Sequence, residues 1–107
     1  MNQFINGSVQ VSNDVIDIII ASTALKVEGV LEVKGYDNKK KNLAKNHTKH
    51  IKTVVENGVL STKISIIVST EKTIIEVVEK VQRDIHNQIK SMLGLKCGDV
   101  DVMVVVK

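Results

Sequence analysis

The residues able to do chemistry are few and scattered. His47 and His50 stand three apart, so a helical turn would set their imidazoles on adjacent positions, the beginning of a divalent metal site. Two ligands do not make a site, and the nearest acids along the chain are Asp37 and Glu56, so the pair reads as solvated loop histidines. His86 falls on the polar side of a helical pattern and reads as a surface residue. Cys97 is the single cysteine, which excludes an internal disulfide and a multi-cysteine zinc module. It stands in Gly94-Leu95-Lys96-Cys97-Gly98, a helix-to-strand connection, where the negative end of the helix dipole disfavours a thiolate. Asp99 and Asp101 share one face of a strand, which suits a charged surface that discourages edge-to-edge pairing better than a cation site. Neither common glycine-rich phosphate loop occurs. We therefore expect no catalytic, cofactor-binding or metal-binding residues, and no enzyme.

One segment has a binding flavour. From Lys34 to Lys52 there are seven lysines and one acid, Asp37, a local charge of +6 against −3 for the rest of the chain. Lys39, Lys40, Lys41, Lys45, Lys49 and Lys52 form a candidate electrostatic contact surface for nucleic-acid phosphates or anionic lipid headgroups. The segment has no arginine, and the two aromatics of the chain, Phe4 and Tyr36, are too few for base-stacking platforms. Nucleic acid is the weaker of the two expectations.

These residues must be positioned by a small β-rich fold. Eighteen Val and 13 Ile against six Leu favour strands, because branching at Cβ suits a pleated surface. Ser8 to Ser12 alternates polar and apolar as a strand does. A helix follows from about Asp14 to Glu28, with Ser12 and Asn13 as capping acceptors, Asp14 in the first turn and Gly29 at its exit. Apolar residues cover most of its circumference, and only Asp17, Ser22, Thr23, Lys26 and Glu28 break the cover after Asp14. Val30 to Lys34 is a strand, and Gly35 to Lys49 a long exposed loop or weak helical turn. Ile51–Glu56 and Val59–Ser69 form a hairpin about Asn57-Gly58. In the second helix Thr73 and Glu76 have capping-box spacing, and Ile74, Val78, Val81, Ile85, Ile89 and Met92 make a stripe. Glu76–Lys80 and Glu79–Arg83 are favourable pairs four apart, Gly94 stops the helix, and Asp99 to Val106 closes the chain as a strand.

The expected fold is α+β: a single small domain over residues 1–107, in the order β-α-β-β-β-α-β, with a basic loop at about 35–50. Two helices pack on one face of a mixed or antiparallel sheet. With 43% hydrophobic and 25% charged residues, the chain has the composition of a globular protein, not a disordered one. The longest apolar run, Val102–Val106, is too short to cross a bilayer, and the first ten residues carry no secretory signal. A cytoplasmic protein is expected.

Three stretches, taken in order and spacing, resemble the alkaline-shock protein family of bacterial envelope stress response proteins. They are Gly7 to Ile16 followed by Ala24-Leu25-Lys26-Val27-Glu28-Gly29-Val30; Val77 to Gln82 with Ile85 and Ile89; and Met92-Leu93-Gly94-Leu95 with Val100 to Val104. Where family members often carry glycines between the halves, this chain carries lysines. The resemblance implies a non-catalytic cytoplasmic protein, without cofactor, that associates with itself as a homo-oligomer. Some relatives gather at the inner face of the membrane through a membrane-anchored partner. The competing expectations are a small basic module binding through Lys39–Lys52, and an enzyme or sensor with a pocket between helices and sheet.

Overall fold

The computed structural model describes residues 2–5, 9–70 and 72–107, and side chains from Val11 onward within those ranges. A hairpin comes first, β1 (Asn2–Ile5) antiparallel to β2 (Val9–Ser12). The strand expected from Ser8 is present from Val9; Ser8 itself lies outside the described residues. Next are α1 (Asn13–Leu25), β3 (Val30–Val33), the short pair β4 (Tyr36–Asp37) and β5 (Asn42–Leu43), and a 3-10 turn at His47–Lys49. The chain ends with β6 (Lys52–Glu56), β7 (Val59–Val68), α2 (Ile74–Leu93) and β8 (Lys96–Val106).

The ten residues of β7 organise the sheet. Along one side β6 pairs with its first half and β3 with its second, both antiparallel, while β8 runs parallel to it along the other side. Leu60, Thr62, Ile64, Ile66 and Val68 are buried on its inner face. Ile16, Ile20, Ala21 and Ala24 of α1 join Val77, Val81, Ile85, Ile89 and Leu93 of α2 in the same core. The fold is thus α+β with a mixed sheet, as expected. Asn57 and Gly58 both have positive φ (52° and 77°), as a two-residue turn joining β6 to β7 requires, so this hairpin also agrees.

Several local expectations are corrected. α1 ends at Leu25 with Lys26 as its cap, so Gly29, at φ 100°, turns the chain into β3 and does not stop the helix. The seam of α2 is Val77, Val81, Ile85, Ile89 and Leu93; Ile74 and Met92, placed on the stripe by sequence, are exposed. Both readings share Val81, Ile85 and Ile89, and at the two ends the buried residues are Val77 and Leu93. Thr73 makes no side-chain capping bond, whereas Ser12 Oγ accepts the Val15 N–H at 3.2 Å. Lys80 pairs with Asp84 at 2.9 Å, and neither expected pair on α2 forms among the described residues. The segment expected to be a loop contains the β4–β5 pair, and Tyr36 within it is buried.

Candidate functional site

β8 is a long strand with one side uncovered. Nine of its 11 residues pair with β7, Gly98 and Asp99 falling at a register shift, and among the described residues no strand lies along its other side. A free edge presents unpaired N–H and C=O groups, which proteins ordinarily protect with charge, proline or a bulge. Here protection is uneven. Asp99 and Asp101 guard the first part, both exposed on one face as expected, whereas Val102 to Val106 is apolar. Met103 is 62% exposed, and Val105 and Val106 are exposed beside it. Cys97 belongs to β8 itself and not to a connection before it, and burial pushes its thiol above the ordinary range.

The six lysines occupy consecutive pieces of one segment. Lys39, Lys40 and Lys41 lie between β4 and β5, Lys45 follows β5, Lys49 is in the 3-10 turn and Lys52 opens β6; all six are exposed. Asp37 Oδ1 accepts from the backbone N–H of Lys39 and Lys40 at 2.9 and 3.1 Å, so the segment's one acid shapes the turn.

A third group was not anticipated. Asp17, read as a gap in the apolar cover of α1, is only 6% exposed, and its Oδ1 has no hydrogen-bond partner. Burial raises its carboxyl above the usual range; the Thr53 hydroxyl and His47 pull it down, and Asp14 pushes it up. His47 does not join His50. Its Nε2 lies 3.5 Å from Asp14 Oδ1, and its Nδ1 is 2.8 Å from the Ala44 carbonyl. No sequence spacing links His47 to acids some 30 residues earlier; the i, i+3 relation of Asp14 and Asp17 was the only signal available. The region between helices and sheet is filled by the core, and a surface hollow lies instead beside Leu25, Leu31, Tyr36, Lys39 and His50.

The profile of the alkaline-shock protein 23 family, described as having a cell envelope-related function, matches residues 1–106. The chain belongs to this family. Among solved structures, this alkaline-shock family member is similar to the MamM CTD spanning that protein's residues 215–293, with a TM-score of 0.61 and 18% identity over 87% of this chain and 96% of that one. A MamM CTD variant in its cadmium form gives 0.62 and 18% over 88% and 96%. Another in its nickel form gives 0.61 and 18% over 87% and 96%. At such identity the likeness is one of fold. No curated protein matches the chain. No helix among the described residues is long and apolar enough to cross a membrane.

Proposed function

We propose that this chain is a non-catalytic contact protein of the envelope stress response that associates with its own copies through the β8 edge. The carrying observation is the unprotected apolar end of that edge. Asp101 to Lys107 reads acid, five apolar residues, base. Two such edges laid antiparallel about Val104 put each Asp101 opposite a Lys107 and each Met103 opposite a Val105. Directly opposite residues point to the same face, so the charge pairs and the Met–Val pairs share the open face of one continuous sheet. The segment is complementary to itself. In this reading the assembly works in the cytoplasm, held at the inner face of the membrane by an anchored partner. The family's cell envelope-related function supports that placement.

Sedimentation at micromolar concentration tests the reading. M103K/V105K sets lysines opposite lysines at two exposed positions, and we expect a folded monomer in place of the wild-type oligomer. D101K weakens assembly, and adding K107D restores it. A wild-type monomer, or an oligomer indifferent to M103K/V105K, overturns the reading.

A second reading is supported by the exposure of all six lysines, none of which meets an acid in an ion pair among the described residues. It is electrostatic docking on an anionic lipid surface. K39E/K40E/K41E then abolishes salt-sensitive binding to phosphatidylserine vesicles, and absence of wild-type binding at low salt ends the idea.

A further inference from the structure

We propose that Asp14, Asp17 and His47 hold one first-row divalent cation, with Zn2+ the best match, tying the lysine-rich segment to the N-terminal half of α1. The geometry comes first. One ligand atom from each residue lies within 4.8 Å of the others. Asp14 and Asp17 are three apart on α1, which aims both carboxylates along one face. Zinc bonds of about 2.0–2.1 Å place tetrahedral ligands about 3.3 Å apart, so the 3.5 Å between His47 Nε2 and Asp14 Oδ1 needs little closure.

The second observation is the state of Asp17. Its side chain is more than nine-tenths buried, and Oδ1 lacks any hydrogen-bond partner. A buried carboxylate oxygen with no donor calls for a proton or a cation.

The third is the orientation of His47. A carbonyl can only accept, so the contact with Ala44 at 2.8 Å puts the hydrogen on Nδ1 and leaves the lone pair of the neutral ring on Nε2. That nitrogen faces a carboxylate. Two acceptors confront each other unless something positive lies between them, and an Nδ1–H donated to a backbone carbonyl is how metal-binding histidines are usually aimed. The backbone there is pinned as well. The His47 carbonyl accepts from Ile51 at 2.8 Å and from His50 at 2.9 Å. Gly35, at φ 87°, packs so close that a Cβ would stand 3.0 Å from His47 Cα.

One imidazole and two carboxylates make a mixed nitrogen and oxygen set. The nitrogen favours Zn2+ over Mg2+, and three protein ligands leave a fourth position for water or a partner's side chain. The alternative is a bare ion pair, with His47 protonated and Asp17 neutral.

Calorimetric titration of ZnCl2 into the chelator-treated full chain separates the two. We expect one Zn2+ per chain, bound at least tenfold more weakly by D14N, D17N and H47Q and equally by H50Q and C97S. Long-range 1H–15N spectra should move the His47 Nε2 resonance while Nδ1 stays protonated. Asp14 is exposed, so D14N keeps the test valid if D17N disturbs folding, which circular dichroism reports. The proposal fails if no saturable binding is seen. It also fails if H50Q or C97S abolishes binding, or if D14N and H47Q bind as wild type with His47 resonances unmoved.

Discussion

α1 and α2 contribute to the same core, yet they are held in different ways. α2 is a 20-residue helix with one buried seam and charge elsewhere, and it rests on α1, β7 and β8. α1 has only 13 residues and touches α2, β2, β3, β4, β5 and β6. A helix lying on one surface needs one apolar stripe; a helix clasped on several sides buries whatever residue each neighbour covers. That difference explains why Asp17 is inside. The polar position on α1 faces the segment that carries His47, not solvent.

The largest effect should come from the seam of α2. Ile85 is fully buried and Met92 is 56% exposed. Ile85→Ala removes most of a side chain from the core and should cost about 2–5 kcal/mol by denaturant unfolding. Met92→Ala should stay within about 0.5 kcal/mol. Equal losses would return Met92 to the seam and erase the contrast between the helices.

Legibility in the sequence follows the same contrast. Ile85 and Ile89 were readable because a helix against one surface writes its period into the chain, and Asn57-Gly58 because a two-residue turn demands those residue types. The ends of the stripe were not readable, since which residues of α2 are buried there depends on how α1, β7 and β8 pack against it, not on the period of the helix. Tyr36, Asp17 and His47 were hidden for a related reason. Their burial depends on a polar, lysine-rich segment folding back over α1, and such a segment carries no period. The apolar half of β8 was visible as an alternating strand, but its position at the sheet edge is a property of topology.

A second, smaller effect tests the clasp on α1. In metal-free protein the Asp17 carboxyl is raised by burial, so the folded chain holds that proton more tightly than the unfolded chain. Stability is therefore lost as pH rises from the unfolded carboxyl range through the folded one, and the loss is complete above it. Asp17→Asn has no such loss. We expect it to be more stable than metal-free wild type at neutral pH by on the order of 1 kcal/mol, with the gap closing toward acid. Thermal melts across pH measure this. A constant gap would mean that Asp17 is solvated and that α1, like α2, meets its surroundings on one side.

The smallest effect concerns how each helix begins. Ser12 Oγ accepts the Val15 N–H at 3.2 Å, whereas Thr73, at the corresponding place on α2, makes no such bond. Ser12→Ala therefore leaves an orphan donor at the start of a helix already clasped on several sides, and should cost about 1 kcal/mol. Thr73→Ala removes a hydroxyl that satisfies nothing in the helix, so its change should be within about 0.5 kcal/mol. The short helix thus depends on its cap, and the long one on its seam. A larger loss in Thr73→Ala than in Ser12→Ala would show that the capping-box spacing of Thr73 and Glu76 operates in solution, and would reverse that assignment.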